Sequence, residues 1–286
     1  GRSARDLPVI HADHLNWQWQ GLDGTPWRGH QYNRTVCDMA FSAESELVIR
    51  YTFWLAAELP RAAREGLRIA IERPWLYAIQ LNDTPINPDT GARWFDEEMR
   101  AFAIGARVRP GENTLCLRAA PFSVFCEIAP VILIGDFALD ARERGFVVNA
   151  ARPLTLGDWT RQGMLFYHQT VRYRFAFTSV QPARALRVRL PHSCGALATV
   201  LLDGREAGTI LHPPHELDVD GDLPPGRHEL ELAVIGTMKN FMGPHFSDGL
   251  AGPWTWSVCP PHQPPGSQYR FSPAGLTDVP ELAVMM

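Results

Sequence analysis

The chain has 286 residues, an apolar share of 45% and a formal net charge of −4, which suits two ordinary domains, each able to bury a core. Slight acidity without any basic block leaves nucleic acid and anionic membranes no electrostatic handle. No apolar run approaches a membrane span, and VILIG at Val131–Gly135 is far too short.

In chain order, residues 1–35 come first. They begin at Gly1 without an apolar signal segment, as if inside a longer polypeptide, and the sequence names no compartment. They are polar and poorly periodic, which predicts an irregular lead-in whose Trp17, Trp19 and Trp27 dock it against a domain. Alternating runs then begin, spanning a first domain over 36–140. ELVIRYTFWL (Glu46–Leu55), GLRIAIE (Gly66–Glu72) and LYAIQLNDTPI (Leu76–Ile86) read as strands, the last with a turn at Asn82-Asp83. Pro60 argues for a loop over Glu58–Gly66. MRAFAIGARVRPGENTLCLRAA (Met99–Ala120) reads as strand, Pro110-Gly111 turn, strand. The charged stretch DARERGFVVN (Asp140–Asn149) marks the boundary.

A second domain over 141–286 repeats this order at an offset of roughly 120 residues, a whole-domain period. TVRYRFAF (Thr170–Phe177) answers VIRYTFWL, and ALRVRLP (Ala185–Pro191) answers GLRIAIE. LATVLLDGREAG (Leu197–Gly208) answers LYAIQLNDTPI, with Asp203-Gly204 at the turn. HELDVDGDLPPGRHELELAV (His215–Val234) matches the later pair, with Pro225-Gly226 at its turn. With 24 prolines punctuating short strands, the expected class is all-β: two tandem jelly-roll β-sandwiches.

The segment GDWTRQGMLFYHQTVRYRFAF resembles the pattern W-x-x-Q-G-x-x-x-Y-x-G-x-V-x-Y-x-x-x-F of sugar-binding jelly-roll domains. These occur in glycoside hydrolase family 2 enzymes and large α-L-rhamnosidase-like proteins. The matching residues are Trp159, Gln162, Gly163, Tyr167, Val171, Tyr173 and Phe177, while His168-Gln169 departs where Gly is common. VLLDGREAG is similar to the strand–turn–strand of these galactose-binding-like domains. GTMKNFMGPHF (Gly236–Phe246) and YRFSPAGLTDVPEL (Tyr269–Leu282) resemble late segments of the rhamnosidase-like members. The resemblance implies two galactose-binding-like sandwiches downstream of a glycosidase catalytic domain in the same polypeptide. Their implied work is bracing that domain, with weak binding of a plant or bacterial polysaccharide. Trp159, Gln162 and Tyr167 would pin the start of the second sandwich. Such folds often carry a structural Ca²⁺ on backbone carbonyls and a carboxylate, which the sequence does not locate; no other cofactor is implied.

Glycoside hydrolysis needs two carboxylates across the scissile bond. Asp96, Glu97, Glu98, Asp158, Glu216, Asp218, Asp220 and Asp222 are the candidates, and no spacing singles out a pair. The acids of HELDVDGD alternate, which puts them on a strand's solvent face, and FDEEMR (Phe95–Arg100) reads as a solvated loop. No catalytic residue is therefore assigned. His212 and His215 are held apart by Pro-Pro, and five scattered cysteines (Cys37, Cys116, Cys126, Cys194, Cys259) without a CxxC read as isolated thiols. Ser193-Cys194-Gly195 reads as a loop. The richest stretch is KNFMGPHFSDGLAGPWTW (Lys239–Trp256), which combines amide, imidazole, carboxylate and indole groups, the types that hold sugars. Asn240, His245, Asp248, Trp254 and Trp256 are its candidate carbohydrate contacts, with Trp75, Tyr77 and Trp94 as weaker equivalents in the first domain. Two other readings stay open: a region that contributes to glycosidase catalysis, and a protein-interaction or adhesion module without sugar specificity.

Overall fold

Alternation along short strands builds the molecule. The computed structural model describes residues 1–20, 42–123, 125–243, 245–246 and 259–285. The chain divides into two compact units, Gly1–Ala151 with Phe246–Tyr269, and Arg152–His245 with Arg270–Met286.

In the first unit the strands are β1 (Leu47–Leu55), β2 (Arg68–Glu72), β3 (Ala78–Leu81), β4 (Thr84–Ile86) and β5 (Ala92–Trp94). They continue with β6 (Asp96–Ala103), β7 (Gly111–Ala119), β8 (Ile132–Ile134), β9 (Phe137–Ala141) and β10 (Phe146–Ala150). One sheet runs β4-β3-β7-β1-β10-β9 and the other β5-β6-β2-β8. Among the described strands β1–β10 is the one parallel pair. β1 turns Ile49, Tyr51, Phe53 and Leu55 inward and Arg50 and Thr52 outward. Ile69, Ile71 and Phe102 of the smaller sheet share one core with Ile79, Leu81, Leu115 and Leu117 of the larger. Each such side chain contributes about 1.5–3 kcal/mol on leaving water.

The second unit holds β11 (Thr170–Ser179), β12 (Ala183–Arg189), β13 (Ser193–Cys194), β14 (Leu197–Leu202) and β15 (Arg205–Ile210). β16 (Glu216–Leu223), β17 (Gly226–Ile235), β18 (Gly275–Leu276) and β19 (Glu281–Met285) complete it. Its sheets run β11-β17-β14-β15 and β16-β12-β19, with β13-β18 as a short pair. Leu186, Val188, Val200, Leu230, Leu232 and Val234 fill the space between them. Both units are therefore β-sandwiches and the chain is all-β in class. The neighbour order β1-β7-β3-β4 is met again as β11-β17-β14-β15, and β6-β2-β8 as β16-β12-β19. The hairpin turns also correspond. Asn82 and Asp83 have φ of 48° and 64°, and Asp203 and Gly204 have φ of 48° and 76°. Two consecutive positive φ values match the right-handed twist of the flanking strands.

Several expectations need correction. The lead-in is not irregular throughout, because Val9–Trp19 forms helix α1. Its weak sequence pattern is offset by tertiary anchors: Trp17 is buried, its indole donates to Asp13 Oδ2 (3.2 Å), and Asp13 Oδ1 accepts the Ile128 amide (2.9 Å). Trp27 lies outside the described residues. Pro60 does not forbid a helix; it precedes the short helix α2 (Arg61–Glu65), where a missing N–H is harmless. Ser193-Cys194 is strand β13, paired with Gly275-Leu276.

Finally, the first unit runs past the composition shift at Asp140, because β9 and β10 are paired with each other and β10 lies beside β1. Of the later residues it also holds Phe246 and 259–269. Gly266 donates its amide to Arg142 O (2.9 Å), Gly145 to Pro264 O (3.0 Å), and Gln263 to Asp6 O (2.9 Å). A Cβ on Gly266 would stand 2.2 Å from Gly145 O, so only glycine permits this approach.

Candidate functional site

After β17 the chain makes one helical turn, α3 (Lys239–Met242), which ends at Gly243 with φ 81°. This turn buries Asn240 to 2% exposure. Its Nδ2 donates to Ser272 O (2.8 Å) and its Oδ1 accepts the Ser272 amide (2.8 Å). One side chain thus imitates a strand pairing and ties α3 to the returning segment before β18. His245 Nε2 donates to Asn240 O (2.8 Å), which fixes that tautomer. The imidazole lies 5.4 Å from both the Phe166 and Phe271 ring centres. Burial lowers its pKa below the ordinary histidine value, more than the Asn240 bond raises it. Sequence reasoning thus picked two residues that the fold brings together. Asp248, Trp254 and Trp256 lie outside the described residues.

Trp159, Gln162 and Tyr167 surround the entry to β11. Asp158 Oδ1 accepts the Thr160 amide (2.9 Å), its hydroxyl (2.8 Å) and the Ala274 amide (3.1 Å). Trp159 is 1% exposed, donates its amide to Ala274 O (2.9 Å) and meets Tyr167 edge-on at 5.9 Å. Two glycines make room for the indole: a Cβ on Gly236 would stand 2.9 Å from it and one on Gly275 3.0 Å. Gln162 Oε1 accepts the Thr155 amide (2.8 Å) and its Nε2 donates to Thr155 O (3.1 Å), closing the loop. Tyr167 donates its hydroxyl to Thr170 O (3.1 Å). The W-x-x-Q-G pattern is, within this unit, a loop-closing device.

Several carboxylates that composition offered for acid–base chemistry hold structural partners. Asp158 is a turn cap. Asp218 pairs in two-point fashion with Arg187 (2.6 and 2.7 Å) on the exposed face of β16. Glu231, which sequence reasoning passed over, sits between Arg172 and Arg174, and these guanidiniums hold its pKa below the usual range. Asp96 Oδ1 caps the Glu98 and Met99 amides (2.8 and 2.9 Å) at the start of β6, so FDEEMR opens a strand. An open cleft of about 540 Å³ lies between β15 and β16, with Leu186, Leu202 and Val219 beneath a rim that includes Glu206, Asp220 and Asp222. Among the described residues no three His, Cys, Asp or Glu side chains are grouped to hold a metal ion, and the implied Ca²⁺ gains no location. Among them, too, no helix is long and apolar enough to cross a membrane.

Sequence reasoning missed one ionisable pair, a buried histidine against an exposed aspartate. His228, 6% exposed, places Nδ1 2.6 Å from Asp203 Oδ2 and Nε2 2.9 Å from Pro224 O. Both partners are acceptors, so the two contacts are both hydrogen bonds only when the ring is an imidazolium. The bond to Asp203 raises the His228 pKa, helped by the Pro224 carbonyl. The Glu229 amide and then His228 lower that of Asp203. In the first unit two asparagines hold the same positions. Asn82 Nδ2 donates to Asn113 Oδ1 (2.8 Å), and Asn113 is fully buried. The available signal was the pair of motifs PGEN and PGRH, whose last residues are Asn113 and His228.

No protein-family model matches the chain. A curated protein of Formosa agariphila described as "Putative beta-glucuronidase" is 25% identical over 117 residues, 39% of this chain and 10% of that protein. Among solved structures, a rhamnosidase from Novosphingobium sp. PP1Y is 16% identical with a TM-score of 0.34, over 84% of this chain and 22% of that one. The Streptomyces avermitilis α-L-rhamnosidase complexed with L-rhamnose is 18% identical with a TM-score of 0.31, over 86% and 26%. The chain thus spans about a tenth of the curated relative and about a quarter of these structures.

Proposed function

We propose that the chain is a non-catalytic accessory region of a larger, rhamnosidase-like glycoside hydrolase, built from two galactose-binding-like modules. It braces a catalytic domain of the same polypeptide and contacts carbohydrate weakly through the 239–256 segment. The observation that carries this reading is the strand order β1-β7-β3-β4 and β6-β2-β8 met twice in one chain. Duplicated sandwiches present loops on a rigid frame, the usual arrangement for recognition. Support also comes from the W-x-x-Q-G segment and from the likeness to a small part of a protein described as a β-glucuronidase, given with the qualifier "Putative". Asn240 ties the helical turn that precedes His245 to Ser272, to which its amide is bonded at both ends. The His245 ring and the segment beyond it carry the sugar contact.

Titration calorimetry tests this with L-rhamnose, D-glucuronate and pectic oligosaccharides. Weak saturable heat is expected, lost in His245→Ala and in Asn240→Ala. Heat indifferent to both changes removes the segment from the binding role.

A further inference from the structure

The open cleft between β15 and β16 lies where the edges of the second unit's two sheets part. Among the described strands, β15 is bonded only to β14 and β16 only to β12. The two edges meet at one end, where a Cβ on Gly208 would stand 3.0 Å from the Leu217 side chain. Toward the other end each is irregular. The β14–β15 register shifts between Val200 and Leu201, and that of β12–β16 between Ala183 and Ala185, which face Leu223 and Asp220. Such bulges bend an edge strand and re-aim its side chains. His228 bridges the mouth, from Asp203 on one wall to the Pro224 carbonyl on the other.

The first unit fills the corresponding place with its own chain. Strand order and register set Leu67, Leu81 and Ile104 where the second unit has Leu186, Leu202 and Val219. There residues 56–67 connect β1 to β2 and include helix α2. Leu59 and Ala63 of this connection pack into the core that holds Leu67, Leu81 and Ile104. The end of α2 presses on Gly105, where a Cβ would stand 2.4 Å from the Glu65 backbone. In the second unit residues 180–182 alone connect β11 to β12, which leaves no chain for such a helix. Counted back from Pro110-Gly111 and Pro225-Gly226, Asp220 replaces Gly105 and Asp222 replaces Arg107. Leu81 is fully buried, whereas Leu202 is only half-buried on the floor of the cleft.

The rim selects what enters. Elsewhere in this unit Asp218, Glu231 and Glu281 pair with arginines. Glu206, Asp220 and Asp222 hold no ion pair among the described residues, and Arg205 is the one cation lining the cleft. Acid above an apolar floor suits arginine or lysine, whose stem lies on apolar surface while its head group stays with the carboxylates. The Asp220 side chain blocks the close backbone approach that Gly105 permits, so the occupant reaches in by its side chains. A volume of about 540 Å³ admits a short stretch of chain, since small-ligand sites span about 300–1,000 Å³.

We propose that this cleft docks a short basic peptide segment from outside the chain. Its arginine or lysine stems lie over Leu202 and Val219, and their head groups meet Glu206, Asp220 and Asp222. The site is independent of the 239–256 segment and of any sugar contact there. The probe is a fluorescein-labelled peptide LPRAAR, the sequence of residues 59–64, followed by fluorescence anisotropy with the whole chain. It binds saturably, and added salt weakens it. The charge-reversed LPEAAE does not bind, and GGRGGR, which lacks the apolar residues, binds severalfold more weakly. Asp220→Asn combined with Asp222→Asn weakens LPRAAR about tenfold. The same double variant keeps or raises the thermal midpoint, because like charges no longer repel. Asp218→Asn, outside the cleft, leaves the affinity as it was. The inference is overturned if LPRAAR does not bind, if LPEAAE or GGRGGR binds as well, or if the double variant binds like wild type. A lowered midpoint in the double variant, which marks a structural role, overturns it too. So does self-association in sedimentation that the double variant abolishes, since the occupant is then a second copy.

Discussion

Raising pH should unlock one joint of the second sandwich. His228 donates from Nδ1 to Asp203 and from Nε2 to Pro224 O, and a neutral imidazole can donate only once. Its folded-state pKa is raised above the ordinary 6.5. The stabilisation is therefore complete below that unfolded value and is lost as pH rises through the higher folded one. On the acid side the depressed Asp203 pKa makes its share present above the ordinary carboxylate value of 3.8 and lost as pH falls through the folded one. A hydrogen bond to a charged group contributes about 1.5–3 kcal/mol. Asp203 is 48% exposed on its side chain, so screening pulls the figure to about 1–2 kcal/mol. At roughly 4 °C per kcal/mol for a domain of this size, the melting midpoint of the second unit should fall by several degrees between pH 6 and pH 9. Urea titrations of wild type and Asp203→Asn at both pH values isolate the effect from other titrating groups. The introduced amide can donate to a deprotonated Nδ1, so the variant should lose much of the pH dependence. Equal pH dependence in the two proteins refutes the reasoning.

Trp159→Ala should cost about 3–5 kcal/mol, read as a lowered urea midpoint, because the indole is 1% exposed beneath two close glycines. Gly275→Ala should destabilise markedly in the same assay, since its φ is 109° and a Cβ would stand 2.8 Å from the Tyr173 hydroxyl. Asn240→Ala should cost about 1–3 kcal/mol and speed amide exchange at Ser272, whose N–H it accepts. Gln162→Ala should open the loop at Thr155 to proteolysis at a cost near 1 kcal/mol, leaving the β11–β17 register intact.

What could be read in advance was local. VIRYTFWL and TVRYRFAF alternate because a strand's neighbours lie on opposite faces, and Asn82-Asp83 and Asp203-Gly204 advertise their turns through φ > 0 chemistry. Helix α1 was hidden because the Asp13–Ile128 bond that anchors it spans 115 residues. Asn240 and His245 stood out by residue type. Their roles did not, since Ser272 lies 32 residues away and Phe166 enters from the far side of β11 in sequence. Phe95 was legible as part of an acidic cluster, yet its left-handed backbone is a property of the folded hairpin alone.

The most direct test of the account is turnover by the chain itself on aryl α-L-rhamnosides, β-D-glucuronides and β-D-galactosides. If the chain has the proposed accessory role, with Asp158 and Asp218 engaged by backbone amides and Arg187, no release of the aryl group above the buffer rate is expected. Release that survives purification and disappears in a single Asp or Glu variant would contradict the proposed non-catalytic role.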